Sequence, residues 1–317
     1  IEIATDDWND YEWSWGFQSL PVLAKPPQHS STLECAFAEW ISSNDETIAE
    51  MRRLEEENNR LFIEAYGLAD ELTPDVPIEQ ITLTVNAAYR YPGTRKRILT
   101  EMERSQRFRA DTMTELISYA IGCMMGRFSL DEPGFVYAHT GHTGFDMGRY
   151  HSFPADDDGV VPLTDTDWFD DDAANRLVEF VSVAWDTAHL DANLKFLADT
   201  LSPNKNESSR DTIRRYLCDS FFKDHLQTYK KRPIYWLFSS GKQKGFQCLV
   251  YVHRYNEGTL ARMRSEYVIP LLGKMAARLE KLQGDIQVAT STAHQRSLEK
   301  ERVKLDKQHV EVLAFDE

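Results

Sequence analysis

The run Lys230-Lys231-Arg232-Pro233-Ile234-Tyr235-Trp236-Leu237-Phe238-Ser239-Ser240, followed by Lys242, Lys244 and later His253-Arg254-Tyr255, is where this chain gathers residue types suited to binding. Cations neutralise phosphates, and a loop rooted in two strands can carry hydroxyl and amide donors to base edges. On that reasoning Lys230, Lys231, Arg232, Ser239, Ser240, Lys242, Lys244 and Arg254 are candidate nucleic-acid contacts. Arg95, Lys96 and Arg97 form a second candidate group within a basic stretch that runs on to Arg104, Arg107 and Arg109. The same residues also fit a plainer role, in which lysines solubilise strand flanks and Tyr235 and Trp236 fill a core. Trp236 and Phe238 alternate onto one face and are assigned to the core.

Other chemistry has less support. His139 and His142, with Asp146 and His151 nearby, lie in a glycine-rich stretch with no cysteine ligand close by, so no metal site is assigned. Asp156-Asp157-Asp158-Gly159 lacks the alternating ligands and closing glutamate of a calcium loop and is read as a solvated acidic turn. No GxGxxG or GxxxxGK[ST] phosphate loop occurs, and no HExxH or GxSxG. No catalytic residue is therefore assigned. Cys35, Cys123, Cys218 and Cys248 form no CxxC pair and read as reduced thiols of a cytoplasmic protein.

The formal net charge of −15 argues against nucleic acid until it is divided along the chain. Residues 1–60 hold 4 basic and 13 acidic groups, and residues 151–203 hold 2 and 12. Residues 204–317 hold 21 basic and 14 acidic groups, a net +7. The final third can meet phosphate while the acid lies elsewhere. The longest apolar stretch, 116–125, is too short and too interrupted to span a membrane.

The elements that must position these residues emerge from periodicity. Residues 1–30 carry Trp8, Tyr11, Trp13, Trp15 and Phe17 before three prolines and read as an extended segment laid on a neighbouring surface. A helix is predicted over 32–66, with one apolar stripe through Leu33, Phe37, Trp40, Ile48, Leu54 and Leu61, ended by Gly67. Ile81-Thr82-Leu83-Thr84-Val85 alternates like a strand. A helix opens at Asp111, where Thr112 and Glu115 have capping-box spacing, and stops near Gly126. Residues 135–153 read as strand and loop, 165–201 as one or two helices, and 202–210 as a polar linker. Ile234–Phe238 and 246–252 read as a hairpin or two neighbouring strands, apolar on both faces and therefore central, around the loop 239–245. From Gly258 the chain is helical, bent at Pro270, with a charged tail from Thr290.

Several segments resemble the BREX adenine-specific DNA methyltransferases, the PglX family. They are Glu12-Trp13-Ser14-Trp15-Gly16-Phe17, Glu57-Asn58-Asn59-Arg60-Leu61-Phe62-Ile63, Ala65-Tyr66-Gly67-Leu68, Glu71-Leu72-Thr73-Pro74-Asp75-Val76-Pro77, Ile117-Ser118-Tyr119-Ala120-Ile121-Gly122-Cys123-Met124-Met125-Gly126-Arg127, and the run from Lys231 to Ser240. Each is weak alone; their order and spacing together are specific. The resemblance implies a bacterial anti-phage enzyme that methylates adenine in double-stranded DNA with S-adenosylmethionine as donor. Such enzymes carry an Asn-Pro-Pro-Tyr motif and a glycine motif for the cofactor. Neither occurs here; the single Pro-Pro, Pro26-Pro27, comes after Lys25. The chain is thus expected to lie after the catalytic domain and to bind no cofactor alone. Its expected class is α+β: a helical connector over 1–72 that docks on the methyltransferase domain, a mixed α/β target-recognition domain over 73–256, and a helical spacer over 257–317. A module that assembles other components of the defence system is the alternative, and a stand-alone acidic DNA mimic fits the basic final third poorly.

Overall fold

The computed structural model describes residues 1–23, 32–94 and 97–316. Pro26-Pro27, Arg95 and Lys96 lie outside the described residues. In chain order the elements are α1 (Glu2–Asn9), α2 (Leu33–Tyr66), α3 (Ala87–Arg90), α4 (Glu101–Met124), β1 (Val160–Pro162), α5 (Ala173–Ala184), α6 (Leu190–Ala198), α7 (Ser209–Tyr216), α8 (Phe222–Thr228), β2 (Tyr235–Ser239), β3 (Gln247–Tyr251), α9 (Thr259–Arg262), α10 (Ile269–Val288) and α11 (Thr292–Asp316). Long helices with one small antiparallel sheet make this an α+β fold. Two compact units divide it: Ile1–Tyr119 with Val181–Ser202, and Ala120–Phe180 with Pro203–Glu317.

In the first unit, α2 matches its prediction. The Thr32 hydroxyl accepts the Cys35 N–H at 3.2 Å, and Gly67 closes the helix at φ 68°, a left-handed conformation that costs glycine little. The apolar stripe does not stay buried, since Leu54 and Leu61 face solvent. Residues 81–85 form no strand. Ile81, Leu83 and Val85 point inward as their alternation requires, but the Thr84 and Val85 N–H groups donate to the Asp7 carboxylate at 2.7 and 2.9 Å. A side chain here takes the place of a strand partner, and a period of two cannot reveal that. Helix α4 opens at Glu101, well before Asp111. The working capping box is Thr100 with Glu103: the Glu103 N–H donates to the Thr100 hydroxyl at 3.2 Å, and the Thr100 N–H to the Glu103 carboxylate at 2.9 Å. Thr112 lies inside the helix, its hydroxyl turned back to the Phe108 carbonyl. The amino-terminal segment is folded, not extended: α1 leads to a turn in which Tyr11 and Phe17 are buried and Trp13 stacks on Tyr11 at 4.6 Å.

The second unit is built on a three-stranded antiparallel sheet of order β1-β3-β2. Tyr235 faces Tyr251, Leu237 faces Leu249, and Ser239 faces Gln247. The hairpin was legible; β1, three residues paired through Val160 and Val250, was not. Only β3 is central and buried throughout. β2 is an edge strand, and Trp236, assigned to the core from sequence, is 40% exposed. Its partner in alternation, Phe238, does pack against the core. Residues 135–153 contain short 3-10 turns at Thr140–His142 and Met147–Arg149, with no strand among the described residues. Pro270 causes no sharp break. A wider π-helical stretch, Met263–Val268, runs without a break into α10, and its wider turn just before Pro270 accommodates a residue that has no N–H to donate. α10 and α11 run antiparallel, since Arg278 pairs with Glu301 at 2.6 Å and Arg264 with Asp316 at 2.8 Å. Leu271, Met275 and Leu282 of α10 share one core with Leu305 and Val312 of α11 and with Phe246, Cys248 and Val250 of the sheet.

Candidate nucleic-acid interface

Two loops flank β2. The first, at Lys230-Lys231-Arg232, is held in an unusual shape. Lys230 and Lys231 both have positive φ, 50° and 65°, a region that non-glycine residues seldom enter. The turn is fixed by Lys231 N–H to the Leu226 carbonyl at 2.7 Å and Arg232 N–H to the Tyr229 carbonyl at 2.9 Å. His225, buried among Phe221, Tyr229 and Tyr235, anchors the start of β2: its Nε2 accepts the N–H groups of Ile234 at 3.0 Å and Tyr235 at 3.3 Å. Burial, reinforced by the Arg127 guanidinium, pushes the imidazole down to about 4, so it is a neutral acceptor at pH 7. All three basic residues of this turn are exposed.

The second loop, 239–245, lies on α11. The Glu311 carboxylate accepts the Ser240 hydroxyl at 2.8 Å, the Gln243 N–H at 2.7 Å and the Gly245 N–H at 3.2 Å. Burial alone would raise its pKa, but these bonds outweigh burial and hold it below the usual carboxylate range. The Gln308 amide adds a bond to the Gln243 carbonyl at 3.2 Å. Residue 245 has to be glycine at this packing distance, because a Cβ there would lie 2.7 Å from the Gln308 carbonyl oxygen and 2.7 Å from Val312 Cγ2.

The candidate residues therefore separate. Lys242 is exposed on the loop with no ion-pair partner among the described residues. Lys244 is bound to Asp219 at 2.5 Å and to the Cys218 carbonyl at 3.2 Å. Ser240 is turned inward onto Glu311, and Ser239 receives the Gln247 amide at 3.3 Å. Arg254 is not at the surface. It is 0% exposed, donates to the carbonyls of Asp156 at 2.6 Å and Asp157 at 2.7 Å, and lies over the Phe145 ring at 3.9 Å. A guanidinium closed in this way braces the acidic turn and has no donor facing solvent. Arg97, in the other unit, is exposed and paired with Glu103. The two basic groups flanking β2 sit at its opposite ends, so they form two contact points instead of one patch. The five residues of β2 that lie between them span about 16 Å.

The acidic turn and His142 are held by structural contacts. Asp156 accepts the N–H groups of Asp158 and Gly159 at 3.1 and 2.6 Å, and Asp158 is buried, its carboxyl pushed up to about 8 by burial and by Asp156. The turn is thus solvated only in part: Asp157 is exposed and Asp156 half-buried, while Asp158 and Gly159 are buried. His142 accepts from Arg254 at 3.2 Å, and Asp146 caps the Gly148 N–H at 2.9 Å. Among the described residues no group of three or more histidines, cysteines and carboxylates is arranged to hold a metal. None of their helices is long and apolar enough to cross a membrane. Sequence reasoning missed Glu311, Gln308 and His225. No spacing signal points to the first two, which lie more than sixty residues from the loop they hold.

No family model matches the chain. Two curated proteins do. The chain is 43% identical over 326 residues to the adenine-specific methyltransferase BrxX of Escherichia coli O9:H4 (strain HS), covering 100% of the chain and 26% of that protein. It is 35% identical over 325 residues to the adenine-specific methyltransferase PglX of Lacticaseibacillus casei (strain Zhang), covering 100% of the chain and 25% of that protein. The chain spans about a quarter of the length of the curated relatives it matches. Across its full length it is a homologue of the BREX adenine-specific methyltransferases, the PglX family, and corresponds to one part of them.

Proposed function

We propose that this chain is the DNA-recognition part of a site-specific adenine DNA methyltransferase of BREX anti-phage defence, and that double-stranded DNA lies along β2. The observation that carries the reading is the placement of Lys230, Lys231 and Arg232 at one end of the edge strand β2 and Lys242 at the other. A strand spanning about 16 Å between two basic groups is on the scale of a major groove about 12 Å wide. Rigid roots on His225 and Glu311 mean that little ordering is lost on binding. Arg254 is left out of this surface, and Lys244, Ser239 and Ser240 shape the loop more than they reach beyond it. Arg95, Lys96 and Arg97 are a second phosphate-contact group on this reading.

Residues 73–256 then carry target recognition and 257–317 act as a spacer that also braces the loop. The parent enzyme uses S-adenosylmethionine. The residues present here do not fit that cofactor, since the chain has neither the glycine motif nor Asn-Pro-Pro-Tyr. No chemical step is assigned to it. A full enzyme with Lys230, Lys231, Arg232 and Lys242 changed to alanine should methylate far fewer sites in cells. Unchanged methylation would remove this surface from the DNA interface.

A second reading has its own observation. Trp15 is 97% exposed and Trp8 53% exposed in the first unit. Such rings in solvent suit docking of residues 1–72 against the methyltransferase domain or another component of the defence complex. Trp15 fluorescence in the parent enzyme should be blue-shifted and protected from quencher; emission typical of water would count against docking.

A further inference from the structure

Beside the loop 239–245, within the same unit, a cleft of about 500 Å³ opens between α7, the loop and α11. Its walls are charged but mostly self-neutralised. Arg215 pairs with Glu207 at 2.8 Å, Lys244 with Asp219 at 2.5 Å and Lys304 with Asp165 at 2.6 Å, while Arg214 pairs with Asp172. Lys242, also on the cleft, has no ion-pair partner among the described residues. Gln247 lines the cleft too. It is 4% exposed, its Nε2 donates to Ser239 at 3.3 Å, and its Oε1 has no hydrogen-bond partner among the described residues. Turning the amide over leaves the other atom unpaired instead, so a buried polar group in the wall of the cleft lacks a partner in either orientation. Buried amides are rarely left so, and an orphan of this kind marks a place where a ligand's polar group can sit.

We infer that this cleft takes a single nucleotide. Its phosphate lies against Lys242, and an N–H of its base donates to Gln247 Oε1. The volume falls in the range of small-molecule sites, and an amide acceptor beside a cation is the pairing that a phosphate and an amino-bearing base require. The site shares Lys242 with the proposed duplex contact, while its base partner, Gln247, lies outside that contact. Its nucleotide can come from DNA, as a base turned out of the helix, or from solution.

Calorimetric titration with deoxyadenosine monophosphate at low salt tests this. Saturable binding is expected. Deoxyribose 5-phosphate, which has no base, should bind at least tenfold more weakly. Gln247→Leu should weaken deoxyadenosine monophosphate at least tenfold with an unchanged melting temperature, and Lys242→Ala should weaken it most at low salt. Should Gln247→Leu fail to fold, the Gln247 side-chain amide resonances of the unaltered chain must shift on saturation. Absence of saturation, equal binding of the sugar phosphate, equal binding by the folded Leu variant, or unmoved amide resonances would each overturn the proposal. Weaker duplex binding by the folded Gln247→Leu variant assigns the site to DNA, and duplex affinity unchanged by that variant assigns it to free nucleotide. A chain that binds duplex but no mononucleotide loses this cleft and keeps the duplex surface.

Discussion

The Glu311 carboxylate accepts the Ser240 hydroxyl at 2.8 Å and so ties the last helix to a loop 71 residues earlier in the chain. With the Gln243 and Gly245 N–H groups on the same carboxylate, the loop takes its shape from α11. Glu311→Ala leaves three donors without their acceptor. A loss of about 1–3 kcal/mol of stability is expected in urea unfolding, with weaker duplex binding at every sequence tested. An unchanged midpoint and unchanged affinity would show that α11 does not hold the loop.

His225 gives the second unit an acid-sensitive point. Its folded pKa, about 4, lies below the ordinary histidine value of 6.5, so the unfolded chain takes up the proton first. The contribution is complete above pH 6.5 and is lost as pH falls from there through about 4, up to roughly 3 kcal/mol. Asp10 and Glu115, both pushed up to about 7, act in the opposite sense, since their contribution is lost as pH rises. Comparing unfolding free energies of the parent and His225→Gln from about pH 7.5 to about pH 4 isolates the histidine. The parent's advantage should shrink as the pH falls, and a constant difference would contradict a buried neutral imidazole.

Arg254→Met tests a role reassigned by the structure. The carbonyls of Asp156 and Asp157 lose their donor and the Phe145 ring loses the stacked cation. Destabilisation by about 3 kcal/mol or more is expected. Duplex affinity of the folded fraction should stay near that of the parent. A stable variant with a selective loss of DNA binding would return Arg254 to the interface.

The long helices and the hairpin were legible because their signals are local. Thr32 and Gly67 bracket α2, and the apolar runs on either side of Ser239 to Gly245 can hardly be anything but strands. The α4 start was misplaced because Thr112 and Glu115 imitate a capping box that Thr100 and Glu103 supply. β1 was missed because three residues are too few to show a period. The basic character of the loop was also readable, but which cations stay free was not. Lys242 and Lys244 are two residues apart and alike in sequence; only Asp219, brought in by the fold, separates them. Arg254 looked like a surface cation for the same reason, since its partners are backbone carbonyls nearly a hundred residues away.

If DNA lies along β2, the basic groups at its two ends meet phosphates. Duplex affinity measured at several salt concentrations tests it most directly, for the parent chain and for single alanine variants of Lys230, Lys231, Arg232 and Lys242. Binding should weaken steeply with salt, and the slope should fall by about one for each lost phosphate contact. Slopes and affinities identical across the parent and all four variants would contradict it, as would a chain that binds no duplex even at low salt.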